Sequence, residues 1–302
     1  MSGATQRAGF VAVIGAPNVG KSTLVNRLTG TKVSIVSPKI QTTRTRVLGI
    51  RAVGDSQIAF VDTPGLFRPR RRLDRAMIAA AWSGAGEADV LVLLVDAAAA
   101  DKDDNTEAIV ARLKELGRND VILALNKIDI ADKPKLLALA DRYNRAGIFS
   151  DVFMISAETG DGIEDLLAAL AARVPEGPWL FPEDQVSDMP ERMLAAEIVR
   201  EQLYLQLHQE LPYRATVETD LWQEREDGSV RIEQTIYVER ESQRSIVLGK
   251  GGARIKSIGQ AARGELEKIL ERRVHLFLFV KVREKWEEDP ERYRAIGLDF
   301  DV

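Results

Sequence analysis

The chain has 302 residues, no cysteine, two histidines and a formal net charge of −4. Its length suits two domains, and the absence of cysteine excludes disulfides, thiolate catalysis and cysteine–zinc sites. The acidic balance excludes coating of nucleic acid by bulk positive charge, so any RNA contact has to come from a local patch. His208 and His275 are too few for a histidine metal cluster and are expected to be structural or surface residues. Residues 1–8 are short and polar, and the longest apolar tract, residues 88–100, contains Asp89 and Asp96. A soluble protein of a reducing cytoplasm is therefore expected, with neither a signal peptide nor a membrane span.

Residues 10–14 form an apolar, β-branched run predicted as a buried strand, and residues 23–28 have helical spacing. Between them stands Gly15-Ala16-Pro17-Asn18-Val19-Gly20-Lys21-Ser22, a G-x-x-x-x-G-K-S loop followed by Thr23. Strand, glycine loop and helix start bring backbone N–H groups and the positive end of the helix dipole onto an anion. Residues 15–23 are thus expected to bind a nucleotide, with Lys21 between the β- and γ-phosphates and the Ser22 hydroxyl on Mg²⁺.

Residues 31–46 are polar and contain Gln41-Thr42-Thr43-Arg44. Their place after the phosphate loop resembles the first switch of P-loop GTPases, where a threonine reaches Mg²⁺ and the γ-phosphate only in the triphosphate state. Thr43 is the candidate and Thr42 the alternative. Residues 47–53 and 57–61 read as strands around a turn at Gly54-Asp55, and the second delivers Asp62-Thr63-Pro64-Gly65. Asp62 is placed to hold a water on Mg²⁺, and the Gly65 N–H to meet the γ-phosphate. Lys21, Thr43 and Gly65 are the residues expected to serve hydrolysis. Leu66 follows, where Ras-like enzymes carry a glutamine that orients water, so slow hydrolysis is expected. Arg68 and the Arg70-Arg71-Arg72 run read as a solvated charged stretch, with a partner contact as the alternative.

Residues 90–95 and 121–125 read as strands around a helix over 101–116, and the second ends in Asn126-Lys127-Ile128-Asp129. In this N-K-x-D pattern the Asp129 carboxylate accepts from guanine N1–H and the exocyclic amine. Adenine would leave that acceptor unpaired, at about 1–3 kcal/mol. Asn126 is expected to hold the purine edge and Lys127 to pack along it. A helix over 135–145 and a strand over 152–155 lead to Ser156-Ala157, matching the motif whose backbone meets the guanine oxygen. Residues 163–173 form a last amphipathic helix. The alternation predicts an α/β unit with a mainly parallel sheet over residues 1–177.

Five residues, Pro175, Gly177, Pro178, Pro182 and Pro190, mark a linker over 178–190, with Trp179 and Phe181 available to dock it. A helix over 192–211, strands over 214–223 and 230–239, a helix over 254–270 and a strand over 274–282 follow. Gly249-Lys250-Gly251-Gly252 lies before the last helix. The order matches a type II KH module, an α+β fold over 191–284 whose G-x-x-G loop clamps about four single-stranded nucleotides. Gly249, Lys250, Gly251, Gly252, Arg254 and Lys256 are its RNA-binding candidates. The tail, 285–302, carries Trp286, Tyr293 and Leu298, for packing on the module or for a partner.

A P-loop GTPase unit followed by one KH module of this kind resembles the Era family of bacterial GTPases, over nearly the whole chain. The resemblance rests on the six motifs quoted: the phosphate loop, Gln41-Thr42-Thr43-Arg44, Asp62-Thr63-Pro64-Gly65, Asn126-Lys127-Ile128-Asp129, Ser156-Ala157 and the G-x-x-G loop. It implies a Mg²⁺-dependent GTPase, cycling between GTP and GDP, that acts in small ribosomal subunit assembly. It also implies binding of single-stranded RNA near the 3′ end of the small-subunit ribosomal RNA. A monomer is expected. A peripheral membrane association is part of the resemblance, although no basic amphipathic helix in the sequence supports it. Asn18 and Thr42 match positions that hold K⁺ in related GTPases, a cation that would compensate for Leu66. Two other readings stand beside the switch: an RNA-binding factor with a nearly inert nucleotide tether, and an ATP-using P-loop enzyme.

Overall fold

A computed structural model describes all residues except 1–4, 40–41, 100–102, 208–210, 285 and 296. His208 and Gln41 lie outside the described residues. The chain forms two compact units. The first comprises Met1–Ser34, Thr43–Asp188 and Ile296–Val302, and the second Ile35–Thr42 and Met189–Ala295.

In the first unit the elements run β1 (Arg7–Ile14), α1 (Lys21–Thr29), β2 (Val47–Val53), β3 (Ser56–Asp62), α2 (Arg72–Glu87), β4 (Val90–Asp96), α3 (Asp104–Glu115), β5 (Val121–Asn126), α4 (Lys133–Asn144), β6 (Phe149–Met154) and α5 (Ile163–Arg173). They build a six-stranded sheet in the order β2-β3-β1-β4-β5-β6. Among its described strands β2 and β3 pair antiparallel, and the other neighbours pair parallel. Every residue of β3 and β5 is buried. Helices on both faces exclude water, so such strands read as unbroken apolar runs rather than alternating ones. The phosphate loop, the Asp62 loop and the Asn126 loop all leave the carboxyl ends of strands, where open α/β sheets bind ligands.

Some boundaries differ from the sequence reading. The helix expected from 101 starts at Asp104, because the Asp103 carboxylate caps it by accepting from the N–H groups of Asn105 and Thr106 at 3.2 and 3.3 Å. Strand β6 lies earlier than expected, at Phe149–Met154. Helix α2 has no counterpart in the sequence reading. Its buried face is Leu73, Ala76, Met77, Ala81 and Ala85, and Asp74 accepts from the N–H groups of Arg70 and Arg71 at 2.9 and 3.0 Å. The arginine run therefore opens a helix, and its high charge hides the helical spacing that follows.

The proline-rich stretch docks on the first unit. Trp179 Nε1–H donates to the Asp55 carbonyl at 3.1 Å, and the Leu180 and Phe181 N–H groups donate to Gln57. Phe181 meets the Phe10 ring edge-on, with centroids 6.3 Å apart.

The second unit contains α6 (Glu191–Gln206), β7 (Ala215–Glu224), β8 (Val230–Val238), α7 (Glu241–Leu248), α8 (Ala253–Ile269) and β9 (Val274–Val282). Its sheet has the order β7-β8-β9, antiparallel then parallel. Ile198 and Leu203 of α6, Ile232 and Ile236 of β8 and Ile258 and Leu266 of α8 fill one core. Helix α6 ends at Gln206 rather than Leu211, and Leu211–Arg214 form a separate 3₁₀ turn that holds Pro212. His275 is half-buried on β9. In the tail, α9 (Pro290–Ala295) follows Trp286, whose Nε1–H donates to the Arg214 carbonyl at 3.0 Å, and Trp286 and Tyr293 are buried in this unit. Leu298 is buried in the first unit, where Arg72 stacks on Phe300 at 4.2 Å.

Candidate nucleotide site and RNA-binding loop

Helix α1 opens from Gly20, at φ 100°, with no side-chain cap and no acidic residue in its first turn. The first N–H groups of a helix have no partner within it, and here no carboxylate competes for them. A Cβ on Gly20 would lie 2.5 Å from Asn126 Nδ2, so only glycine lets the loop lie against the N-K-x-D segment. Asn18 also has positive φ, 64°. Lys21 is buried, and its ammonium donates to the carbonyls of Gly15 and Ala16 at 3.2 and 2.8 Å. Burial lowers its pKa from 10.5 to about 8 despite the opposing pull of Asp62. An anion on the loop would relieve that cost.

Ser22 and Thr43 converge on Asp62. Ser22 Oγ donates to Asp62 Oδ2 at 2.7 Å, Thr43 Oγ1 donates to the same oxygen at 3.2 Å, and the two hydroxyls are 2.8 Å apart. Thr42 is not in this group: its hydroxyl donates to the Lys39 carbonyl at 2.7 Å. Ser34 is a member that the sequence did not single out, donating to Asp62 Oδ2 at 2.6 Å. Asn26 fixes Ser34 by accepting from the Val33 and Ser34 N–H groups at 2.9 Å. An asparagine inside a helix is the one sequence signal for that role, since it usually competes with helical hydrogen bonds. Burial raises the Asp62 pKa, against the opposing hydrogen bonds of Ser34, Ser22 and Thr43 and the charge of Lys21.

Asp62 Oδ1 is buried and has no hydrogen-bond partner. A lone carboxylate oxygen beside two hydroxyls is a hard-oxygen set suited to Mg²⁺, which takes few protein ligands and completes its shell with water and phosphate. Among the described residues no cluster of three or more His, Cys, Asp or Glu is placed to hold a metal. The site therefore fits a cation shared with a phosphate substrate rather than caged by protein. Gly65 lies against Pro17, where a Cβ would come within 3.0 Å of its Cα. Leu66 is buried, its N–H donating to the Gly15 carbonyl at 3.0 Å.

Beside the loop a cavity of about 210 Å³ is lined by Gly20, Thr23, Asn126, Lys127, Asp129, Ile130, Ala157 and Glu158. Asn126 braces it: Nδ2 donates to the Val19 carbonyl at 2.8 Å and Oδ1 accepts from the Ala157 N–H at 2.9 Å. Lys127, at φ 66°, donates to the Asn18 carbonyl at 2.8 Å and pairs with Asp96 at 2.6 Å. Ser156 is buried, its N–H donating to the Asp161 carbonyl at 2.9 Å. Arg27 of α1 donates to the carbonyls of Ala157 and Glu158. Asp129 is exposed at the rim of this cavity. Arg27 and Asp96 were not legible as site residues, although Asp96, like Asp62, closes an apolar strand.

In the second unit Gly249 joins α7 to the loop with φ 71° and ψ 173°, a region open essentially to glycine. Lys250 and Lys256 are exposed, and Arg254 is half-buried, donating to the Ile246 carbonyl at 3.4 Å. Ile246 stands 47% exposed one turn before the loop, an apolar surface beside the positive charge.

The 50S ribosome-binding GTPase family matches residues 10–127, and the KH domain family matches residues 210–287. GTPase Era of Brucella suis biovar 1 is 61% identical over 98% of this chain and 95% of its own length. GTPase Era of Caulobacter vibrioides is 59% identical, with 98% of each chain covered. A crystal structure of an Aquifex aeolicus Era variant bound to GDP·AlF₄⁻ superposes with a TM-score of 0.90 at 38% identity, covering 98% of this chain and 100% of that one. An Era complex with MgGDPNP and nucleotides 1506–1542 of 16S ribosomal RNA matches with the same TM-score, identity and coverage. At 61% and 59% identity to these GTPase Era relatives over 98% of its length, this chain belongs to the Era family of GTPases.

Proposed function

We propose that this chain is a GTP-hydrolysing switch that holds the 3′ region of small-subunit ribosomal RNA through its KH unit and acts in small-subunit assembly. The observation that carries this reading is the meeting of the Ser22 and Thr43 hydroxyls at Asp62, beside an uncapped helix N-terminus. Ser22, Thr43 and, through water, Asp62 would hold Mg²⁺, which supplies charge to offset that of the β- and γ-phosphates. Lys21 exchanges its loop carbonyls for phosphate oxygens, and the first N–H groups of α1 and the Gly65 N–H bind the remaining ones. Asp129 accepts from the guanine edge, and Asn126, Lys127 and Ala157 form the wall beside it. The attacking water's oxygen bonds to the γ-phosphorus as the bond from that phosphorus to the β–γ bridging oxygen breaks, giving GDP, inorganic phosphate and a proton released to solvent. Leu66 offers no polar atom to orient that water, so hydrolysis is slow unless K⁺ near Asn18 compensates.

On the RNA side, Lys250, Arg254 and Lys256 attract phosphates and the loop glycines admit the backbone. The Era complex that contains both MgGDPNP and 16S ribosomal RNA supports this pairing of ligands. Among the described residues no helix is long and apolar enough to cross a membrane. The chain works in the cytoplasm as a monomer, and a peripheral membrane contact, which belongs to the family resemblance, is open to vesicle sedimentation.

Calorimetry of an RNA oligonucleotide of the 3′ region against the protein with GDP and with a non-hydrolysable GTP analogue, paired with single-turnover hydrolysis, tests the switch. Tighter RNA binding in one nucleotide state is expected. Equal RNA affinity in both states with negligible turnover would leave the second reading, an RNA-binding factor with an inert tether, which the apolar Leu66 favours.

A further inference from the structure

Asp62 ends β3, and its backbone is fixed by pairing with Val13 of β1 and Val47 of β2. What remains to be set is the rotation of its carboxylate, which is fully buried. Three hydroxyls reach that carboxylate, and all three fall on Oδ2: Ser34 at 2.6 Å, Ser22 at 2.7 Å and Thr43 at 3.2 Å. Oδ1 is left buried and without a hydrogen-bond partner. A buried carboxylate oxygen in that condition has given up water and gained no donor in return, so it calls for a specific cause.

The three hydroxyls are not equivalent. Those of Ser22 and Thr43 lie 2.8 Å from each other, whereas among the described residues no hydrogen bond joins Ser34 to either. Ser34 is buried, and its bond to Oδ2 is the shortest of the three, in the range of O–H···O⁻ bonds. Its backbone is held from both sides by Asn26 of α1. Asn26 Oδ1 accepts from the Val33 and Ser34 N–H groups at 2.9 Å, and Nδ2 donates to the Ser34 carbonyl at 2.8 Å. Val33 is packed onto β2, where a Cβ on Gly49 would come within 3.0 Å of its Cγ2. The seat of the Ser34 hydroxyl is therefore rigid before any ligand arrives.

Resting on the reading above, in which Ser22, Thr43 and, through water, Asp62 hold Mg²⁺, we propose that Ser34 is a positioning residue for Asp62, seated by Asn26. Ser22 and Thr43 have a second task, because their oxygens are also the metal-side ligands. Ser34 has no such task, and its hydroxyl holds Oδ2 whichever way the other two turn. The carboxylate is thereby kept from rotating, and Oδ1 stays the oxygen open to metal-bound water. A residue that orients such an acceptor without touching the metal acts on metal affinity rather than on nucleotide contacts. Every residue in this arrangement belongs to the first unit.

Fluorescent GDP titrations of the full chain, without RNA, in EDTA and across a Mg²⁺ series, test this on the wild type, Ser34→Ala, Ser34→Cys, Asp62→Ala and the double variant Ser34→Ala/Asp62→Ala. Ser34→Ala is expected to raise the Mg²⁺ concentration for half-maximal tightening of GDP about tenfold. Binding of GDP in EDTA stays within about twofold of the wild type, and the rise disappears in the Asp62→Ala background, because the two residues act as one unit. Ser34→Cys keeps the shape of the side chain with a weaker donor and guards against failure to fold; it shows the same selectivity at about threefold. A loss of equal size in EDTA and in Mg²⁺, or one that adds fully to that of Asp62→Ala, overturns the role of Ser34. Equal GDP affinity of the wild type in Mg²⁺ and in EDTA would overturn the metal assignment and this role with it. Equal RNA affinity of the wild type in both nucleotide states would sink the switch reading alone, because these titrations contain no RNA.

Discussion

The chain carries two glycine loops that open helices, and they are built oppositely. Both helices start from a glycine in the left-handed region, Gly20 at φ 100° and Gly252 at φ 78°, without a side-chain cap or an acidic first turn. Around Gly20 the space is full: a Cβ there would strike Asn126. Around Gly252 nothing lies within 4 Å of a Cβ position. The lysine of the first loop is buried and that of the second exposed. A packed loop fixes its N–H groups for one anion of one shape, whereas an open loop gives a polymer backbone room to lie across it. The same local chemistry becomes a specific site or a tolerant clamp according to what packs behind it.

Substitution sharpens that contrast. Gly20→Ala combines left-handed strain of about 1–2 kcal/mol with overpacking of about 1–3 kcal/mol, so fluorescent GDP should bind about 100-fold more weakly or worse. Tight GDP binding by this variant would mean that the loop is not packed against Asn126 in solution. Asp129→Asn should cost GTP about 100-fold and improve xanthosine triphosphate in calorimetry, because the amide returns a donor to the guanine edge. Unchanged nucleotide choice would favour the ATP-using alternative.

The third consequence concerns pH. The folded pKa of Lys21 is about 8 against an ordinary 10.5. Below pH 8 both folded and unfolded chains carry the ammonium, and the folded one does so at a cost. Between pH 8 and 10.5 the unfolded chain holds the extra proton, so stability rises with pH across that window. Urea unfolding of the nucleotide-free protein should show a gain of up to about 3 kcal/mol that Lys21→Met lacks. An identical pH dependence in the two proteins would argue against a buried ammonium. The smallest effect belongs to the open loop. Gly252→Ala carries the left-handed strain of about 1–2 kcal/mol without a clash, weakening RNA about tenfold and leaving nucleotide binding alone. A loss of nucleotide affinity as well would break the distinction between the loops.

Spacing and residue type alone determined most of this protein. The G-x-x-x-x-G-K-S loop, the strand-end motifs and the G-x-x-G loop are local, because each needs a particular backbone turn that only certain residues adopt, and the order of strands and helices follows from hydrophobic period. Helix α2 was lost behind an arginine run, since its start depends on Asp74 reaching back to two N–H groups. Tertiary structure decided what depends on residues far apart in the chain. It chose Thr43 over Thr42 at Asp62, added Ser34 and Asn26 to that site, and showed Asn126 bracing the Val19 carbonyl and the Ala157 N–H. It also placed residues 35–42 in the RNA-binding unit. No sequence period records those choices, because each is settled by which buried polar atoms are left needing a partner once the strands and helices have packed.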